Sequence, residues 1–320
     1  MNFSGRHLVV FGAGYVGATV ARQAVARGLR VTALTRNPEQ ARALTAAGIT
    51  MVMADLADTA WYASIPGGAD FVLNCVSAGG GGVNGYRRSY VDGMRSILAW
   101  TAAAGGPPRT LVYTSSTSVY AQDGGVTVTE ESPVGGGGDS AEVLVEAENL
   151  LLAHFHIGGV PTPRSDELRG EGTPPTSSSQ PRAFILRLAG IYGPGRHHLL
   201  DQLRVGAPEI PGRGEHRLNL AHRDDIAAAI WAAFAAPAEV AGGVFNVADD
   251  GAATKAEVIA WLAARLGVPA PRFTGEPTSG RRAVAPDRVI ANEKIKRVLG
   301  WQPAFPTFHE GYAPLLEIPE

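Results

Sequence analysis

The chain has 320 residues, enough for one large α/β domain or two unequal ones with an ample core. Hydrophobic residues make up 45% and charged residues 18%, and a net charge of -2 gives no electrostatic case for nucleic acid or an anionic membrane surface. No apolar run approaches the roughly 20 residues of a bilayer span, no leader-like segment precedes the first strand, and the single Cys75 excludes an intrachain disulfide, so a cytoplasmic location is expected.

In chain order, Leu8-Val9-Val10-Phe11 reads as a strand, Gly12-Ala13-Gly14-Tyr15-Val16-Gly17 as a glycine turn and Ala18 to Ala26 as a helix. Glycines at this spacing do three jobs: one permits the tight turn, one lets backbone reach a pyrophosphate, and one lets helix and strand pack closely. The helix N-terminus adds N–H groups and partial positive charge. A second strand, Arg30 to Leu34, completes the context for dinucleotide binding. The end of that strand meets the adenosine ribose, where an acid selects NAD and an arginine accommodates the 2′-phosphate of NADP. Leu34 and Thr35 are not acidic and Arg36 follows at once, which points to NADP rather than NAD.

Pro38 opens a helix to about Ala47, and Ile49–Ala54 is a third strand ending in Asp55-Leu56. Asp55 either N-caps a helix at 59–64 or sits beside the adenine. The apolar strand Phe71–Val76 suits a parallel sheet buried on both faces, and Cys75 in it reads as packing rather than as a nucleophile. Ser77 and the run Gly79–Gly82 follow, then a helix at 86–104, a strand at 110–114 and the stretch Ser115-Ser116-Thr117-Ser118-Val119-Tyr120. A helix at 140–156 precedes the segment 158–182, whose Pro, Ser, Gly and Thr composition reads as a disordered insertion. Further on come a strand at 183–188, a helix at 226–235 that Asp225 can cap, a strand at 244–248, and helices at 254–266 and 292–299. His197-His198 and the pair His154/His156 lack neighbours at metal-ligand spacing, so no metal is expected. Strand–helix alternation predicts an α/β fold with a doubly wound parallel sheet.

With GAGYVG at 12–17, Asp55-Leu56, SSTSVY at 115–120, RLAGIYGPGR at 187–196, RLNLAHRDDIA at 217–227, FNVADD at 245–250 and LGWQP at 299–303, the chain resembles the extended and atypical short-chain dehydrogenase/reductases of the NAD(P)-dependent epimerase/dehydratase type, closest to their nucleoside-diphosphate-sugar epimerase-like branch. The resemblance implies a Rossmann domain over 1–190, with 219–248 returning to it, and a small substrate lobe from 191–218 and 249–320. It implies cofactor contacts from Gly12, Gly14, Tyr15, Val16, Gly17, Arg36, Asp55, Leu56, Cys75 and Ser77. Ser116 matches the catalytic Ser/Thr position; its other reading is a turn that caps a strand. Arg196, Arg217, Asn219 and His222 match the substrate side, or else order a polar loop by their own hydrogen bonds. The resemblance also implies a homodimer through the helices near 86–104 and 140–156.

One departure concerns the chemistry. Family members carry Tyr-x-x-x-Lys on the fifth helix, where the tyrosine shuttles a proton and the lysine lowers its pKa. Counting back four and eight from Glu148, matched to the family's glutamate, reaches Leu144 and Ser140. The only lysines are Lys255, Lys294 and Lys296, and none of the eight tyrosines has lysine four positions on. Two readings follow. One is an NADP-dependent enzyme on a carbonyl or alcohol substrate such as a nucleotide sugar, with Ser116 and Tyr120 as proton-transfer candidates; the other is a non-catalytic NADP-binding sensor.

Overall fold

The computed structural model describes residues 2–65, 67–157, 180–276 and 286–317. The expected insertion at 158–182 lies almost wholly outside them; the chain is described again from Gln180. Two compact units emerge: Met1–Ser115 with Gly138–Leu186 and Ile230–Val244, and Ser116–Gly137 with Arg187–Ala229 and Phe245–Glu320. Residues 116–137 thus group with the second unit, and of the segment 219–248 only 230–244 groups with the first.

The first unit is organised on strands β1 (His7–Phe11), β2 (Arg30–Thr35), β3 (Thr50–Met53), β4 (Phe71–Asn74) and β5 (Thr110–Ser116). With β7 (Arg182–Leu188) and β11 (Gly242–Val247), these form a seven-stranded sheet of order β11-β7-β5-β4-β1-β2-β3. β1 runs parallel to both β2 and β4, which places the order reversal of a doubly wound sheet beside it. Alternation of side chains sorts the two faces. Val9, Phe11 and Val72 turn to a core with Trp61, Trp100 and Ile97, joined by Val143 and Leu151 of helix α5 (Asp139–His154). Both indoles in that core are satisfied, Trp61 Nε1 donating to the Leu56 carbonyl and Trp100 Nε1 to that of Ile65, each at 3.2 Å. On the opposite face, Phe71 packs on Phe234 in the last turn of helix α7 (Arg223–Ala235), and Trp231 Nε1 donates to Gln23 Oε1 of helix α1 (Tyr15–Ala26) at 2.7 Å. Arg182 Nη1 donates to the carbonyls of Ala236, Pro237 and Val240, so a side chain from the start of β7 serves the end of α7.

Helix α2 (Pro38–Thr45) is capped by Asn37, whose Oδ1 accepts from the Glu39 and Gln40 N–H groups. The helix expected at 86–104 is more complex. It begins as α3 (Gly82–Arg87), widens into a π-helical turn at Arg88–Asp92, and resumes as α4 (Gly93–Ala103). A π turn inserts one residue that a 3.6-residue periodicity cannot announce.

In the second unit, three parallel pairs are short: β13 (Arg288–Ile290) on β6 (Val126–Val128), β10 (Leu220–His222) on β8 (Gly190–Tyr192), and β12 (Arg272–Phe273) on β9 (Glu209–Ile210). Helices α6 (His198–Arg204), α8 (Lys255–Leu266) and α10 (Phe308–Leu316) enclose a second apolar core that includes Leu203, Leu262 and Tyr312, while α9 is Glu293–Leu299. Thr254 and Glu257 form a capping box at α8. Asp225 does not act as the expected cap. It lies in the first turn of α7, and its carboxylate accepts from Ala304 N at 2.7 Å and Phe305 N at 3.1 Å, fastening the segment after Trp301. His197, read as lacking a carboxylate neighbour, has Asp201 Oδ1 2.6 Å from its Nδ1 one turn on.

Candidate functional site

The glycine turn between β1 and α1 is shaped by missing side chains. Gly12 has φ +84°, and a Cβ there would lie 2.6 Å from the Cys75 carbonyl carbon and the Val76 nitrogen. A Cβ on Gly17 would lie 2.2 Å from the Gly12 oxygen. Such overlaps are backbone on backbone and cannot be relieved by a rotamer change. Gly14 is the opposite case: it N-caps α1 and nothing lies within 4 Å of its would-be Cβ. Gly12 and Gly17 therefore permit the turn, and Gly14 leaves its outer side open to a ligand at the start of a 12-residue helix with no side-chain cap.

This turn opens on a groove of about 400 Å³. Gly12, Gly14, Arg36, Asp55, Leu56, Cys75 and Ser77, all inferred from sequence, line it; Tyr15, Val16 and Gly17 do not, and Val16 and Gly17 are buried. Cys75 is held as a thiol: burial pushes it up to about 12 against a hydrogen bond with Thr114. That suits packing, not nucleophilic chemistry. Asp55 does not cap the following helix. Its Oδ1 accepts from the Ala57 N–H, and its Oδ2 lies 3.2 Å from Arg88 Nη2 and 3.7 Å from Arg36 Nη1. Burial disfavours its charge, but the Ala57 N–H and the two guanidiniums outweigh it and hold the carboxyl below the usual range.

At the end of β5, Ser116 is half-buried and its Oγ accepts from Ser118 N at 3.1 Å, the geometry of a Ser turn. The preceding Ser115 is buried and donates to Glu148 Oε1 of α5 at 2.6 Å. Nothing near Ser115 in the chain announces that bond; only the match of Glu148 to a family position bears on it. On the same helix Leu144 is buried and Ser140 partly so.

Within the second unit, Tyr120 lies in a polar knot. Its hydroxyl donates to Asn246 Oδ1 and accepts from Arg187 Nη1, both at 2.8 Å. The Asn246 N–H donates to Glu130 Oε1 at 2.7 Å, and Arg288 donates to the carbonyls of Thr117, Tyr120 and Gln122. Burial raises the Tyr120 hydroxyl pKa, with the charge of Arg187 opposing. Arg217 is chelated by Asp287, through its N–H at 2.9 Å and Nη1 at 2.8 Å. Asn219 spends both ends of its amide on β13, donating to the Arg288 carbonyl and accepting from Ile290 N. His222 is buried against Phe305 and Tyr192, and its Nδ1 accepts from Asp224 N at 3.3 Å. Burial depresses its pKa against the pull of Asp224, so the ring is neutral. Arg196 closes a tight turn whose backbone pairs with Gly193. Arg217 and Asn219 thus spend polar groups on hydrogen bonds to Asp287, Arg288 and Ile290.

A family model described as NAD(P)H-binding matches residues 12–144. Protein YeeZ of Escherichia coli K12 is 30% identical over 217 residues, covering 68% of this chain and 65% of YeeZ, just under two thirds of that protein's length. A 2-alkyl-3-oxoalkanoate reductase of Stenotrophomonas maltophilia is 28% identical over 273 residues, 82% of this chain and 76% of the reductase. A solved structure from Methylobacillus flagellatus, provisionally assigned as an NAD-dependent epimerase/dehydratase, superposes with a TM-score of 0.71 at 25% identity, covering 98% of each chain. Among the described residues, no helix is long and apolar enough to cross a membrane.

Proposed function

The chain belongs to the NAD(P)-binding short-chain dehydrogenase/reductase superfamily of epimerase/dehydratase-like type, and from that premise we propose that it is an NADP-dependent oxidoreductase acting on a carbonyl or alcohol substrate. The observation that carries the cofactor choice is Arg36. It stands at the end of β2 where an acid would select NAD, lines the groove and keeps 57% of its side chain exposed. A dinucleotide bound in this groove would supply or accept the hydride. The chain's own residues would hold it: Gly14 and the first turn of α1 would take the pyrophosphate, and Arg36 the 2′-phosphate.

Of the two proton-transfer candidates, Ser116 is the better substrate contact. Its oxygen already accepts from Ser118, which leaves its own O–H to donate to a substrate carbonyl. The Tyr120 proton is engaged by Asn246, which suits a residue that orders its loop. Without the Tyr/Lys pair, turnover should be slower by the roughly 10²–10⁴-fold that one general acid/base contributes.

The lysine-free first 254 residues and the buried Leu144 favour a second reading, an NADP-binding sensor without turnover. Titrating the protein with NADPH and NADH, then following NADPH consumption with 3-oxoalkanoates, aldehydes and nucleotide sugars, separates the two. Saturable turnover that falls by about 10²-fold in Ser116→Ala, with NADPH affinity unchanged, is the expected result for the enzyme. Tight NADPH binding with no turnover across the panel leaves the sensor.

A further inference from the structure

Arg88 is a second arginine on the same groove, supplied by an element no sequence periodicity announces. It is the first residue of the π-helical turn Arg88–Asp92, and with Ser89 it lines the cavity opposite the end of β2. Such turns occur frequently at functional sites because the extra residue re-aims side chains. Arg88 Nε and Nη2 both lie 3.2 Å from Asp55 Oδ2, and Arg36 Nη1 reaches the same oxygen at 3.7 Å from the other strand. Gly79 leaves room for this approach: its would-be Cβ lies 3.4 Å from Arg36 Nη2. Two guanidiniums thus converge on one carboxylate oxygen, at the place where the first strand-end arginine identifies the ribose.

These pairs are weakly held. Arg36 and Arg88 remain 57% and 52% exposed, and Arg88 shares its second contact with Asp58, itself 60% exposed. Exposed ion pairs contribute little and exchange readily, whereas a phosphate dianion offers guanidinium forks a bidentate partner. The geometry points to Arg88 as a second specificity residue that closes with Arg36 on the 2′-phosphate of NADP. It rests on the NADP reading above.

The test uses NADPH, NADH, 2′,5′-ADP and 5′-AMP as probes, with dissociation constants from fluorescence or calorimetric titration of the full chain. Wild type should bind NADPH at least about tenfold more tightly than NADH, and 2′,5′-ADP more tightly than 5′-AMP. Arg88→Ala should weaken NADPH and 2′,5′-ADP by about tenfold and leave NADH and 5′-AMP within about twofold. Arg88→Lys, which keeps the charge and removes the fork, should fall between them and guards against a misfolded alanine variant. If wild type does not prefer NADPH, the NADP reading itself fails. If wild type prefers NADPH and Arg36→Ala removes that preference, while Arg88→Ala and Arg88→Lys weaken both dinucleotides equally or neither, the Arg88 assignment is overturned and the NADP reading stands.

Discussion

The glycine turn of the first unit and the Tyr120 knot of the second are both tightly specified, by opposite means. The turn is made within six consecutive residues by the absence of side chains, and its backbone fits only because Gly12 and Gly17 have no Cβ. The knot is made by side chains drawn from Tyr120, Glu130, Arg187, Asn246 and Arg288, with partners up to 171 positions apart. A site built from local backbone announces itself as a motif. A site built from long-range polar bonds does not, and its residues invite a catalytic reading on type alone.

Four substitutions probe that contrast, two in the turn and two in the knot. Gly12→Ala should cost about 4 kcal/mol and abolish NADPH binding, because a left-handed φ and a backbone overlap are imposed together. Gly14→Ala should fold at nearly wild-type stability yet bind NADPH more weakly; denaturant melts paired with titrations distinguish the two glycines. In the knot, Arg187→Met should cost about 3 kcal/mol and Tyr120→Phe about 1 kcal/mol, with NADPH affinity intact in both. Loss of NADPH binding in Tyr120→Phe would break the distinction between the two regions.

A further expectation concerns Asp249. Burial pushes its carboxyl up to about 8, against hydrogen bonds from the Leu220 and Gly251 backbone. The folded chain therefore keeps a proton that the unfolded chain releases near pH 4. This contribution to stability is complete below that point and is lost as pH rises toward about 8. Asp249→Asn cannot titrate, so its stability relative to wild type should climb by about 3.5 kcal/mol between pH 5 and pH 8. A flat difference in melts across that range would show that Asp249 ionises normally in the fold.

Much of the fold was legible because its signals are local. The apolar run before Gly12, the extended β2 and the fully apolar β4 each report their burial through adjacent residues. The groove was legible for the same reason, since Arg36, Asp55 and Ser77 all follow strand ends. What escaped depends on distance or on an irregularity. Asp225 looked like a helix cap from its neighbours, but its partners are Ala304 and Phe305. Ser115 looked like one hydroxyl in a polar run, while Glu148 waits 33 positions away. Arg88 was hidden by the π turn, which shifts a side chain by a residue that heptad-like spacing does not count.

The three carbonyls gathered by Arg182 carry a consequence for how this chain can change over time. The side chain locks the first residue of β7 to the end of α7, so the strand's starting point is set by its own anchor rather than by the length of chain preceding it. Segments upstream of such an anchor can lengthen or shorten cheaply, each doubling of a flexible loop costing only about 0.6 kcal/mol. While Arg182 holds these three carbonyls, the register of β7 is therefore independent of the length of whatever chain precedes it.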